Sequence, residues 1–182
     1  MLQIASHNLK IIFGILLLCL SVVVAKPTQT VNQNTLPEIK VTKIHLKHLS
    51  CLAKNIFYEA RGEPYMGQVA VALVVMNRVT HGFASNPCNV IYQKTKVDDK
   101  VICQFSWVCT NNIEPNKNNN QYKLAKRIAY EVMIMGMHKD TMPKSALFFH
   151  SVNIDPQWSL KKVKTIGGHV FYSNKKTKLN KI

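Results

Sequence analysis

Residues 52–79 read LAKNIFYEARGEPYMGQVAVALVVMNRV, and the apolar pattern of this stretch predicts two consecutive helices. Its first half continues an apolar pattern that begins near His45 and recurs every three or four residues, at Leu49, Leu52, Ala53, Ile56, Phe57 and Ala60. This spacing predicts an amphipathic helix that Gly62 and Pro64 bring to an end. Residues 67–79 are apolar around most of the helix circumference, which predicts a second helix buried in the middle of a domain.

The rest of the chain adds one further helix and a small sheet. A third amphipathic helix is predicted over residues 122–137, after an asparagine-rich loop over residues 111–121. Three short β-prone runs follow Pro143, and the last two of them flank Gly167 and Gly168, which predicts a hairpin. The pattern therefore predicts an α+β domain, with helices first and a small β-hairpin or sheet late in the chain.

Size and charge narrow the function classes. The 182 residues suffice for one domain with a real core, and 47% of them are hydrophobic, as in ordinary globular proteins. Lys and Arg number 24 against 9 Asp and Glu, so the formal net charge is +15. This excess predicts attraction to a polyanion, which is nucleic acid, anionic lipid or the bacterial wall. A merely soluble, solvated lysine-rich surface is the alternative interpretation.

The N-terminus resembles an export signal. Residues 11–25, IIFGILLLCLSVVVA, carry no charge and follow Lys10. Fifteen apolar residues fit the core of a signal peptide better than a membrane span, which needs roughly 20. Val23 and Ala25 suit a cleavage site before Lys26, and an uncleaved anchor is the alternative. Export argues against nucleic acid as a partner, and we expect membrane contact only through this segment.

The cysteines favour disulfide bonding in an exported chain. Removal of residues 1–25 leaves Cys51, Cys88, Cys103 and Cys109, which can pair fully in three ways. At least one disulfide is expected between two of Cys88, Cys103 and Cys109. No second pair of suitably spaced Cys or His follows them, so no metal site and no cofactor are expected.

Two carboxylates stand at the exit of the first helix. Glu59 follows the apolar residues 56–58, and Glu63 lies four residues later, with Arg61 between them. A Glu half-buried against apolar side chains has a raised pKa and suits a general acid, which glycosidic cleavage requires. The alternative from spacing alone is that both glutamates are surface charges paired with Arg61.

Five blocks of sequence resemble one known family. In chain order they are residues 52–79, NVIYQ (89–93), CQFSW (103–107), ALFFHSVNIDPQW (146–158) and KTIGGHVFYS (164–173). Together they are similar to the cell-wall hydrolase family typified by the SleB spore-cortex-lytic enzyme. The resemblance implies a lysozyme-like fold and cleavage between N-acetylmuramic acid and N-acetylglucosamine. It also implies a lytic transglycosylase reaction, which leaves 1,6-anhydromuramyl ends.

The resemblance assigns roles and a domain plan. The catalytic position of the family falls on Glu59, and Glu63 is then a supporting residue or the alternative acid. Residues 1–25 are expected to be the signal, residues 26–43 a linker, and residues 44–182 the catalytic domain, acting as a monomer on peptidoglycan. Spore enzymes of the family carry a separate wall-binding module. These residues leave no room for it, so general wall remodelling or a phage-type lysin is expected.

Aromatic and amide side chains are the candidates for a sugar-binding groove. Gln104 and Trp107 lie between two cysteines, and His150 ends a strand-like run. These three are the groove candidates, with a core position as the alternative for Trp107. Trp158 and His169 are interpreted as structural. A hydrolytic muramidase with the same Glu59, or a non-catalytic wall-binding protein, are the competing functions.

Overall fold

Helices form the larger part of the fold. A computed structural model describes residues 41–110 and 113–174. The predicted signal and residues 26–40 of the predicted linker lie outside these ranges. The helices are α1 (Lys43–Ala60), α2 (Tyr65–Thr80), α3 (Pro87–Ile91), α4 (Ser106–Thr110) and α5 (Asn120–Met133), and a 3-10 turn spans Lys139–Thr141. Within the described ranges, no helix combines the length and the hydropathy that crossing a membrane requires.

Local sequence sets the helix ends. The Thr42 hydroxyl accepts a hydrogen bond from the backbone N–H of His45 and so caps α1. Asn119 caps α5 in the same way, so this helix begins inside the stretch predicted as loop. It ends at Met133 rather than near residue 137, because Gly136 and His138 adopt positive φ angles that an α-helix does not allow.

Helix α2 is the centre of the core, as its apolar sequence predicts. Residues 69–75 are all buried, and α2 packs against α1, α3 and α5. Helix α1 in turn packs along α5. The C-terminal turn of α1 is therefore fixed on several sides, which matters because that turn carries Glu59.

Two small antiparallel sheets complete the fold. Strands β1 (Lys94–Val97) and β2 (Lys100–Cys103) form a hairpin that the sequence did not predict, since its side chains are almost all exposed and give no apolar alternation. The second sheet has the order β3-β5-β4, with β3 at Phe148–Ser151, β4 at Lys161–Ile166 and β5 at His169–Ser173. The predicted hairpin around Gly167 and Gly168 is present as β4 and β5.

Candidate active site

Glu59 lies in the last turn of α1 and borders a cleft of about 250 Å³. The cleft is formed by α1, α2, the start of α4, β3 and the loop before β4. Its lining residues are Glu59, Arg78, Gln104, Phe105, Ser106, Phe148, Phe149 and Trp158. In the described part of the chain, Glu59 is the sole carboxylate of this lining. The cleft therefore combines one acid with aromatic rings and a few polar groups, as small-ligand sites do.

Burial changes the acidity of Glu59. The half-buried carboxyl loses hydration, and this raises its pKa from 4.5 to about 7. The positive charge of Arg78 opposes the effect but is the smaller influence. At neutral pH a large share of the molecules thus carry a protonated Glu59, which is able to donate a proton and afterwards to accept one.

Arg78 lines the cleft, and the sequence interpretation did not single it out. It sits in the C-terminal turn of α2 and is only 3% exposed, with its Nε donating a 2.7 Å hydrogen bond to the carbonyl oxygen of Leu147. The rings of Phe83, Phe105 and Phe148 surround the guanidinium at 5.3–5.9 Å from its central carbon. Burial lowers the pKa of Arg78 to about 10. A charged residue in a mostly apolar helix was the available signal, because charged residues are rarely fully buried unless they are paired.

Glu63 lies outside this cleft lining and binds the β4–β5 hairpin. Its Oε2 accepts a 2.6 Å hydrogen bond from the backbone N–H of Gly168, and its Oε1 is 3.9 Å from Nδ1 of His169. The backbone carbonyl of Glu63 also accepts a 3.0 Å hydrogen bond from the Gln68 side chain. The two glutamates thus occupy different surroundings, and neither is paired with Arg61 among the described ion pairs.

Trp107 is part of the core, which was the alternative to a groove position, and it is absent from the described lining of the Glu59 cleft. It is 5% exposed, stacks on Tyr58 with ring centroids 4.7 Å apart, and donates a 3.0 Å hydrogen bond from Nε1 to Oδ1 of Asn55. Asn55 is fully buried on α1, and this bond satisfies its Oδ1 and the Trp107 N–H. This pairing joins positions 52 residues apart and therefore has no local signature.

Of the two remaining groove candidates, one lines the cleft and the other lies beside it. Gln104 is exposed and lines the Glu59 cleft. His150 is absent from the described lining and instead lies beside it, with Nε2 2.8 Å from the Tyr172 hydroxyl and its ring 5.4 Å from Trp158. Trp158, interpreted as structural, is 42% exposed and lines the cleft. His169 is buried beneath the hairpin turn, next to Phe149.

The described residues contain two disulfides, and the expectation of disulfide bonding is confirmed. Cys103–Cys109 closes the short loop that carries Gln104, and it joins two of the three candidate cysteines. Cys51–Cys88 links α1 to α3, so the partner of Cys88 is a cysteine outside the three candidates. The short spacing of Cys103 and Cys109 favours their mutual pairing, whereas the second bridge depends on how α1 and α3 pack.

A larger cavity of about 460 Å³ lies elsewhere and offers no carboxylate or histidine in its described lining. It is bordered by α2 and the C-terminal end of α5, and its described lining consists mainly of methionines and aliphatic residues, with Asn77, Thr80 and two lysines. The smaller cleft is therefore the candidate site on chemical grounds.

A sequence model of the Cell Wall Hydrolase family matches residues 62–172, which is more than half of the chain. The chain belongs to the cell wall hydrolase family. The match begins three residues after Glu59, so it covers Arg78, the cleft aromatics and the β4–β5 hairpin but leaves Glu59 just outside.

Curated relatives of this cell wall hydrolase are spore cortex-lytic enzymes. One from Bacillus cereus is 38% identical over 69 residues, which are 35% of this chain and 27% of that protein. Another, from Oceanobacillus iheyensis, is 29% identical over 130 residues, which are 68% of this chain and 40% of that protein. The chain thus spans well under half the length of these relatives.

Solved structures similar to this cell wall hydrolase confirm the lysozyme-like α+β fold. The catalytic domain of the germination-specific lytic transglycosylase SleB from Bacillus anthracis superposes with a TM-score of 0.54 at 27% identity, over 69% of this chain and 93% of that domain. The catalytic domain of Bacillus cereus SleB gives a TM-score of 0.50 at 28% identity, over 70% and 91% of the two chains.

Proposed function

We propose that this protein is a lytic transglycosylase that cleaves peptidoglycan glycan strands between N-acetylmuramic acid and N-acetylglucosamine, with Glu59 as its acid and base. One observation carries the proposal: Glu59 is the sole carboxylate lining the described cleft, and burial raises its pKa to about 7. Family membership and the similarity to SleB catalytic domains support the substrate class.

A single glutamate suffices for this reaction. Protonated Glu59 donates its proton to the glycosidic oxygen, and the bond from that oxygen to C1 of the muramyl residue breaks. The Glu59 carboxylate then accepts the proton of the muramyl 6-hydroxyl, whose oxygen forms a bond to C1. Glu59 ends protonated and the product carries a 1,6-anhydro ring, so no second carboxylate is needed. A cleft lined by one acid fits this series of steps better than it fits a glycosidase mechanism that uses two carboxylates.

The aromatic and charged surroundings suit a wall polymer. Exposed Trp158 and the Phe148 and Phe149 side chains border the cleft and offer apolar faces on which sugar rings pack. The formal charge of +15 favours association with the anionic bacterial wall.

We propose accordingly that the protein acts outside the cytoplasm after export. Detection of an exported protein that still begins at Met1 would contradict cleavage before Lys26 and support an anchor.

Digestion of purified sacculi tests the proposed activity. Wild-type protein is expected to release muropeptides with anhydromuramyl ends, identified by mass spectrometry. Reducing ends would instead identify a hydrolytic muramidase that uses water in place of the 6-hydroxyl. Binding to sacculi without release of any fragment would identify a wall-binding protein and overturn the proposal.

A conservative substitution tests the assignment of the acid. Glu59→Gln keeps the shape of the side chain but removes the transferable proton, so the rate of sacculus digestion should fall by about 10²–10⁴-fold. Glu114→Gln is the matched control, because Glu114 is exposed, pairs with Lys54 and lies outside the cleft lining. Near-normal digestion by folded Glu59→Gln protein would show that another group is the acid.

A further inference from the structure

Arg78 is a buried charged residue, and one of its N–H groups lacks a hydrogen-bond acceptor in the part of the chain that the structure describes. Its Nε is bound to the Leu147 carbonyl, but Nη1 is buried and has no acceptor among the described residues. Leaving a buried donor of a charged group without a partner costs free energy. Native proteins carry few such groups, and each one calls for a physical reason.

The surroundings of Arg78 do not supply a dedicated counter-ion. Three phenyl rings flank the guanidinium and stabilise it by cation–π attraction. Glu59 borders the same cleft but forms no direct ion pair with Arg78 in the described structure, and it is partly protonated at neutral pH. The cation therefore faces a cleft in which an acceptor oxygen is missing.

We propose that Arg78 is a substrate-anchoring residue, whose guanidinium donates hydrogen bonds to a carbonyl or carboxylate oxygen of the glycan bound beside Glu59. This inference rests on the proposed function and adds a binding contact to it. Guanidinium groups pair strongly with such oxygens, particularly where water is excluded. The fixed bond to Leu147 holds the side chain in place before the ligand arrives, which lowers the entropy cost of binding.

Two parts of a peptidoglycan strand carry such an oxygen. The acetamido group occurs on both sugars, whereas the lactyl group occurs on the muramyl residue alone. A chitooligosaccharide offers the acetamido carbonyl only, and a strand of alternating N-acetylglucosamine and N-acetylmuramic acid offers both. These two probes distinguish the sources.

Binding is measured on the full chain in a Glu59→Gln background, so that neither probe is cleaved. Titration calorimetry compares Glu59→Gln alone with the same protein carrying R78M or R78K. Loss of a charge-assisted hydrogen bond should weaken binding by about 10–100-fold for R78M and less for R78K, which keeps the charge but not the planar donors. The control is R127M, because Arg127 is exposed on α5, pairs with Glu131 and is absent from the cleft lining.

The pattern of losses decides the outcome. An equal loss with both probes identifies the acetamido oxygen, and a loss confined to the muramyl strand identifies the lactyl oxygen. Affinities of R78M and R78K within twofold of the background, with both probes, would overturn the proposal. If R78M does not fold, R78K decides, together with the NMR signal of the Arg78 Nε–H in the Glu59→Gln protein. That signal should shift during titration with the muramyl strand, and an unchanged signal at saturation would contradict the contact.

The inference and the proposed function fail in different ways. Absence of sacculus digestion by wild-type protein would contradict the enzymatic function, whatever Arg78 does. Normal digestion by wild-type protein, with glycan binding that is indifferent to Arg78, would contradict only the anchoring role.

Discussion

The backbone N–H of Gly168 donates a 2.6 Å hydrogen bond to Oε2 of Glu63, across 105 positions of the chain. This bond attaches the turn of the β4–β5 hairpin to the loop that follows the helix of Glu59. The fit is close, because a Cβ atom added to Gly167 would lie 2.3 Å from Oε2 of Glu63, and one added to Gly168 would lie 2.7 Å from Oε1. Glycine at both positions lets the backbone approach the carboxylate.

Substitution of Gly167 by Ala should therefore destabilise the protein. Gly167 has a φ of +58°, which already disfavours a side chain, and the new methyl group would displace the Glu63 carboxylate. We expect a loss of about 2–3 kcal/mol in the free energy of unfolding, measured by urea denaturation. Gly62→Ala is the control, since its Cβ would meet open space and should change stability by less than about 0.5 kcal/mol. Equal stabilities of the two variants would contradict the proposed close fit.

Substitution of Glu63 by Gln should separate positioning from catalysis. Gln retains an oxygen that accepts from Gly168 but loses the charge that strengthens the bond, so about 1 kcal/mol of stability should be lost. Digestion of sacculi should decrease several-fold, far less than for Glu59→Gln, because Glu63 acts through the hairpin. If folded Glu63→Gln protein loses as much activity as Glu59→Gln, then Glu63 is the acid.

The helical part of the fold was predictable because its signals are local. Apolar periodicity marked α1 and α2, and the paired glycines marked the β4–β5 turn. The β1–β2 hairpin was missed because its strands are exposed on both faces, and its turn depends on Asp98 and Asp99 adopting positive φ angles. Aspartate tolerates this conformation, but a pair of aspartates is a weaker turn signal than Asn-Gly or Asp-Gly.

The site was predictable only where burial follows from neighbouring residues. The apolar run before Glu59 indicated a half-buried carboxyl, whereas the place of Arg78 depends on packing against Leu147 and three separate phenylalanines. For the same reason, the sequence did not indicate that Trp107 lies in the core and that Trp158 lines the cleft. A tryptophan is buried when a distant partner such as Asn55 accepts its N–H, and that partner is invisible in the local sequence.

The two disulfides should differ in what their removal costs. Cys51–Cys88 closes a loop with a sequence separation of 37, and Cys103–Cys109 one of 6. Chain entropy then predicts losses of about 4 and about 2 kcal/mol, respectively, for the double Ala variants. Activity should fall more when the short loop is opened than when the long one is, because the short loop carries Gln104 and Phe105, which line the cleft. Urea denaturation and sacculus digestion measure the two effects. Greater stability loss from opening the short loop would contradict the entropic argument.

The raised pKa of Glu59 predicts a specific dependence of stability on pH. The carboxyl titrates at about 7 in the folded protein and near 4.5 when unfolded. Between these values the folded protein binds more protons than the unfolded chain, so this group makes stability fall as pH rises from about 4.5 to about 7. Above that range its unfavourable contribution is constant, and below it the contribution is absent.

Glu59→Gln should remove this dependence. Near pH 4, the variant and the wild type should differ in the free energy of unfolding by a constant offset only. As pH rises from there to about 8, the variant should gain stability relative to the wild type. The gain is at most about 3 kcal/mol, from the size of the pKa shift, and solvent screening of a half-buried group makes it smaller. Urea denaturation at several pH values measures the difference, with Glu114→Gln as the exposed control. A difference between variant and wild type that does not change with pH would show that the folded protein leaves the acidity of Glu59 unaltered. The proton transfer proposed for this cleft would then require another source.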